Sequence, residues 1–96
     1  MTRKELLEAA IKTVTEDRQD QYGSPEQSLE AIACFWTTYI CAANSGADII
    51  VSGCDVAAMM SLLKIARTAT GAAKLDNWVD IAGYAACGAE LDSIVE

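Results

Sequence analysis

Lys64 and Arg67 stand three residues apart, directly after the apolar run Met59-Met60-Ser61-Leu62-Leu63, so on a helix both cations leave the same side. Two cations so placed can grip a phosphate. Asp76, Asp80 and Tyr84 recur at every fourth residue, which puts two carboxylates and a phenol along one face of a later helix. Carboxylates facing such cations can hold Mg²⁺, accept from ribose hydroxyls, bind a base edge or orient the cations. Glu26 and Glu30 form a second acidic pair at the same spacing. A third group lies in Asp17-Arg18-Gln19-Asp20-Gln21-Tyr22-Gly23-Ser24-Pro25. There Arg18 would add a phosphate clamp and Tyr22 a ring to stack on a base or ribose. Ser24, with the Glu26 N–H, would seat an anion at a helix N-terminus.

Each group also has a purely structural reading. Lys64 and Arg67 can pair with Asp76 and Asp80 across an antiparallel helix hairpin as an ion network without a ligand. The 17–25 segment can be a capped turn with solvated charges. The two readings are compatible, since a cluster that pairs with itself when empty can pair with a ligand when full. Trp36 and Trp78 are read as core anchors.

The chain has no histidine, no G-x-S-x-G and no Gly-rich phosphate loop. Ser–His and Cys–His nucleophilic catalysis and P-loop hydrolysis therefore have no support, and carboxylate–metal chemistry is what remains for an enzyme. Cys34, Cys41, Cys54 and Cys87 include no C-x-x-C pair. Their Ala, Phe, Ile and Gly neighbours suit small buried hydrophobes in a reducing cytosol rather than a zinc site. The net charge of −7 argues against duplex nucleic acid, whose binders neutralise phosphates with Lys and Arg. A small nucleotide held by two or three cations in a cleft remains compatible with it.

The elements that must position these residues read as four helices. From Thr2 to about Arg18, Leu6, Leu7, Ala10, Ile11 and Val14 recur with helical spacing. Gly23 ends that pattern, and Ser24-Pro25-Glu26-Gln27 begins the next with an N-cap, a proline at the first position and an S-x-x-Q capping box. The second helix carries Leu29, Ile32, Ala33, Trp36 and Ile40 to near Ala43, and Phe35 and Tyr39 widen its stripe so that it should pack on two sides. Ala47 to Gly53 reads as a connector, short enough to be a loop, a helix extension or one extended strand. Ser52 or Gly53 opens a third helix that Thr70-Gly71 closes. The last begins around Asp76 and runs towards Ile94. Its Gly83 and Gly88, with Ala82, Ala85, Ala86 and Ala89, make it thin enough for close helix–helix contact. Residues 1–96 thus form a single all-α domain, a compact four-helix bundle. Apolar and small residues on several helix faces suggest a homo-oligomer. Neither a membrane span nor a secretory signal is visible.

The segments Tyr22-Gly23-Ser24-Pro25-Glu26, Ile32-Ala33-x-x-Trp36-x-x-Tyr39, Asp55-Val56-Ala57-x-Met59-Met60-x-Leu62-Leu63-Lys64-Ile65-Ala66-Arg67 and Asp76-x-Trp78-Val79-Asp80-Ile81-Ala82-Gly83-Tyr84-Ala85-Ala86 together resemble a family of small helical proteins of tailed phages and prophages with unknown function. The resemblance covers about Arg18 to Glu90. The L-L-K-I-A-R and D-I-A-G-Y elements are also similar to phage nucleotide-modification-associated domains, and more distantly to MazG-like all-alpha nucleotide pyrophosphatases. The latter comparison implies an E-x-x-E pair and a later E-x-x-D around Mg²⁺. Here Glu26/Glu30 and Asp76/Asp80 are spaced by four, and the second and fourth helices carry neither motif.

The expectation is a phage protein in the cytoplasm of an infected bacterium, self-assembling and needing no cofactor, with Mg²⁺ left open. It would sequester a small nucleotide without turnover, by analogy a cyclic-nucleotide or cyclic-ADP-ribose defence signal. Lys64, Arg67 and Arg18 would hold phosphates. Tyr22 and Tyr84 would meet base or ribose, Ser24 the anion, and Asp76 and Asp80 the cations or ribose hydroxyls. Two alternatives stand beside it. One is a Mg²⁺-dependent pyrophosphatase or nucleotide-modification accessory using Glu26, Glu30, Asp76 and Asp80. The other is a protein-interaction module that docks on a host factor.

Overall fold

The computed structural model of the chain describes residues 1–17, 23–71 and 74–92. Among these residues there are four α-helices, one π-helical turn and no strand. Helix α1 spans Arg3–Lys12 and passes into the π-helical turn Thr13–Asp17; α2 spans Pro25–Ala43, α3 Gly53–Thr70 and α4 Leu75–Leu91. The all-α, four-helix expectation holds, and the 47–52 connector is neither helix nor strand. Arg18, Tyr22 and the Ile94 end of the last helix lie outside the described residues.

Three of the four helices start at a reciprocal capping box, which satisfies donors the first turn would otherwise leave open. Thr2 and Glu5 close α1, Ser24 and Gln27 close α2, and Ser52 and Asp55 close α3. At α2, Ser24 Oγ accepts from the Gln27 N–H at 3.3 Å and Gln27 Oε1 accepts from the Ser24 N–H at 3.4 Å. The change from α to π follows Thr13-Val14-Thr15. The Thr13 hydroxyl donates to the Ala9 carbonyl at 2.9 Å and the Thr15 hydroxyl to the Ile11 carbonyl at 2.6 Å, side-chain bonds that compete with and bend a helix.

The path between α2 and α3 sets the topology. Ser45 and Gly46 take left-handed φ values of 58° and 78° and reverse the chain, and the Gly46 N–H donates to the Cys41 carbonyl at 2.8 Å. The connector then returns along α2. Thr37 Oγ1 accepts from the Val51 N–H at 2.8 Å and donates to the Val51 carbonyl at 3.2 Å, while the Cys41 thiol donates to the Ile49 carbonyl at 3.1 Å. Gly53 arrives beside Glu30, so close that a Cβ there would stand 2.5 Å from Glu30 Oε1. Helix α3 therefore starts beside the first half of α2 and runs parallel to it.

Helix α4 then packs antiparallel on α3, with Leu91 at Gly53, Gly88 at Ala57 and Asp80 at Lys64. The π-helical turn leans on α4 where Val14 meets Gly83. The α3–α4 contact is the most extensive, α2 adds to the α3 side and α1 to the α4 side, and α2 touches α4 little. The helices stand in the row α1, α4, α3, α2. The radius of gyration is 14.7 Å, against about 13 Å for a compact chain of 100 residues.

Leu29 and Ala33 of α2 and Val56 and Ala57 of α3 form the buried cluster, with Ile32, Trp36, Val51, Met60, Tyr84, Cys87 and Leu91 packed around it. Three expectations need correction. Trp78 is not a core anchor: it is 53% exposed, because it shares the outward side of α4 with Ala85 and Ala89. Phe35 and Tyr39 do not pack on a second neighbour among the described residues; they are 76% and 74% exposed, since α3 covers only the Ala33–Trp36–Ile40 side of α2. The cysteines form no disulfide among the described residues and are not all buried, with Cys34 exposed and the other three half-buried.

Candidate functional site

The small residues of α4 bring the candidate side chains together. Gly88 sits where a Cβ would come within 3.1 Å of the Ala57 Cβ, and Gly83 where one would come within 2.9 Å of Val14 Cγ1. Bulkier residues at these positions would hold the neighbours apart. Because α3 and α4 approach this closely, Lys64 can lay its methylene stem along the seam and bring its ammonium to Asp80. Lys64 Nζ lies 2.8 Å from Asp80 Oδ2, with the two side chains 14% and 13% exposed. It is the one ion pair among the described residues. Burial to this degree shields the pair from salt more than a surface pair.

The other candidates separate around this pair. Tyr84, one turn beyond Asp80, is half-buried and packs against the core cluster. Arg67 and Asp76 are both exposed. The shared-face expectation for Lys64 and Arg67 therefore divides: Lys64 turns into the seam, and Arg67 stays at its rim in water. Asn77 is the buried polar side chain of the structure's described residues, at 7% exposure, and sequence reasoning passed over it in favour of Asp76. The spacing admits it as readily as Asp76, since Asn77, Asp80 and Tyr84 stand at i, i+3 and i+7.

Ser24 is half-buried and its hydroxyl oxygen already accepts from the Gln27 N–H, so it caps α2 rather than presenting an open anion seat. Arg18 and Tyr22, its proposed companions, lie outside the described residues. Glu26 is exposed, and Glu30 points its carboxylate at Gly53, at the N-terminus of α3. Among the described residues no three His, Cys, Asp or Glu side chains gather as metal ligands. The Glu26, Glu30, Asp76 and Asp80 set is thus not brought together: the first two lie on α2, the last two on α4, and α3 stands between those helices.

A shallow apolar groove of about 480 Å³ opens elsewhere, between α2 and α3, lined by Phe35, Trp36, Tyr39, Ile40 and Met59. None of the residues singled out above for chemistry lies in it. Among the described residues no helix is long and apolar enough to cross a membrane.

An all-helical domain with a half-buried cation–carboxylate pair between its two most closely packed helices is the class that fold and site define. The chain matches the family described as a domain of unknown function (DUF6378) over residues 5–92, and it belongs to that family. It is 33% identical over 82 residues to the Gene 55 protein of Mycobacterium phage D29, covering 85% of this chain and 50% of that protein. It is 38% identical over 80 residues to the Gene 55 protein of Mycobacterium phage L5, covering 83% of this chain and 47% of that protein. The chain spans about half the length of these curated relatives. No solved structure matches it. The comparisons support a small phage protein family; a likeness to MazG-like pyrophosphatases does not emerge from them.

Proposed function

We propose that this phage-type domain binds a small phosphate-bearing nucleotide at the α3–α4 seam and holds it without turnover. The observation that carries this reading is the Lys64–Asp80 pair, at 2.8 Å and mostly shielded, with the exposed Arg67 one turn along the same helix. A phosphate entering at Arg67 would draw the Lys64 ammonium towards itself, and the Asp80 carboxylate would accept from a ribose hydroxyl. Asp76 at the rim and Tyr84 beside Asp80 would flank the sugar and base. Arg18 and Tyr22 would add a phosphate clamp and a stacking ring, and a cyclic-nucleotide or cyclic-ADP-ribose type of defence signal fits the phage setting by analogy.

Holding without turnover is favoured over metal-dependent hydrolysis because the carboxylates that hydrolysis requires are dispersed among the described residues. The test is binding of a nucleotide panel by the wild-type chain and by Arg67→Glu. Arg67 is exposed and makes no part of the packed seam, so the variant should keep its fold and lose at least tenfold in affinity. Equal affinity in the two chains would remove Arg67 from the site.

A further inference from the structure

We propose that the face built by Phe35 and Tyr39 of α2 with Met59 and Leu62 of α3 is the contact surface for a second copy of this chain. Phe35 is 76% exposed, Tyr39 74%, Leu62 63% and Met59 43%. Between Phe35, Tyr39 and Met59 runs the 480 Å³ groove, floored by Trp36 and Ile40. Projecting rings and a hollow thus share one face. A two-fold axis through such a face sets the rings of each copy into the hollow of the other, the self-complementarity an isologous contact requires.

Charge selects the occupant. The chain carries −7, so contact between two copies costs least where neither carries charge. Residues 31–43 of α2 and 56–63 of α3 contain no charged side chain. A nucleic acid, a charged peptide or an anionic lipid surface would find no charged group within those stretches to recognise.

Size agrees. An aromatic side chain brings about 150–250 Å² of burial. Two such rings, each about three-quarters exposed, supply with Met59 and Leu62 roughly half or more of one side of a standard interface, about 800 Å² per partner. The interior points the same way, since Val56 is the one large side chain fully buried among the described residues. A chain that leaves Phe35 and Tyr39 outside so small a core carries apolar surface that a second copy can cover.

The face is separate from the Lys64–Asp80 seam, so this proposal and the nucleotide reading stand or fall independently. The experiment is sedimentation of the wild-type chain, Phe35→Glu, Tyr39→Lys and Ile50→Glu. Ile50 is 81% exposed, in the connector that follows the Thr37–Cys41 side of α2, away from the groove. Wild type and Ile50→Glu should sediment with the mass of two chains. Phe35→Glu and Tyr39→Lys should sediment as one chain with unchanged far-UV circular dichroism, a weakening of at least a hundredfold; should one of them lose helicity, the other decides. A wild-type chain that stays single at high concentration assigns the face to a different occupant and overturns the proposal. So does a two-chain mass retained by the folded face variants.

Discussion

Gly88 of α4 lies so close to Ala57 of α3 that an added methyl would meet the Ala57 Cβ at 3.1 Å, and this approach lets Lys64 reach Asp80 two turns further along the seam. Packing of the smallest residues therefore positions the charged ones. Gly83 repeats the relationship against the π-helical turn, where the corresponding methyl would meet Val14 Cγ1 at 2.9 Å.

Replacing either glycine by alanine gains about 1 kcal/mol of helix propensity and loses to overpacking, which costs about 1–3 kcal/mol in a tight interior. The Gly83→Ala contact is the closer, and the stiff β-branched Val14 has little room to turn away. Gly83→Ala should therefore lower stability by about 1–2 kcal/mol, while Gly88→Ala, where α3 must yield only a few tenths of an ångström, should fall within about 1 kcal/mol of wild type. Urea denaturation of the two variants checks the order, and a Gly88→Ala chain less stable than Gly83→Ala would reverse it.

The Lys64–Asp80 pair makes a second quantitative prediction. Lys64→Met takes the ammonium away from a mostly shielded carboxylate, and stability should fall by about 2 kcal/mol, less than the roughly 3–5 kcal/mol for a fully buried pair because some solvent reaches this one. Lys64→Met combined with Asp80→Leu should return to within about 1 kcal/mol of wild type, since two apolar side chains can replace a shielded pair. A double variant as unstable as the single one would show that Asp80 is needed for other contacts.

Much of this arrangement is legible in the sequence, and the parts that are not have identifiable causes. The S-x-x-Q box at Ser24 and Ser52 ahead of α3 mark helix starts because capping is a local interaction. The density of Gly and Ala in α4 reveals its close packing because small side chains leave a helix thin enough for a neighbour to approach. The parallel course of α2 and α3 is not legible, because it depends on Thr37 bonding Val51 across fourteen residues. Nor does periodicity separate Asp76 from Asn77. Both precede Asp80 by about one turn, and only tertiary packing decides that Asn77 is the one covered. Phe35 and Tyr39 widen an apolar stripe that looks like core, yet a helix neighbour covers only one side of it.

The Ser52–Asp55 cap gives the protein a pH response. Hydrogen bonds from the Ser52 backbone N–H and then the Ser52 hydroxyl hold the Asp55 carboxyl below the usual aspartate range, against a small opposing effect of desolvation. A folded-state value below the unfolded one stabilises the protein above the ordinary aspartate pKa of about 3.9. That contribution disappears as pH falls through the depressed value. Asp55→Asn should accordingly flatten the decline of stability between neutral pH and about pH 3, read from thermal midpoints across that range. An unchanged acid limb would assign the decline to other carboxylates.

The central claim, a nucleotide held intact at the Lys64–Arg67 edge of the α3–α4 seam, is tested most directly by following the ligand itself. The wild-type chain and Arg67→Glu are each mixed with canonical nucleotides, cyclic oligonucleotides and cyclic-ADP-ribose isomers, with and without Mg²⁺, then filtered, and the retained fraction is heat-denatured and chromatographed. The account predicts that one phosphate-bearing compound is depleted by the wild-type chain, returns chemically unchanged on denaturation, and is not retained by Arg67→Glu. Recovery of a cleaved product, or no depletion of any compound, would contradict it.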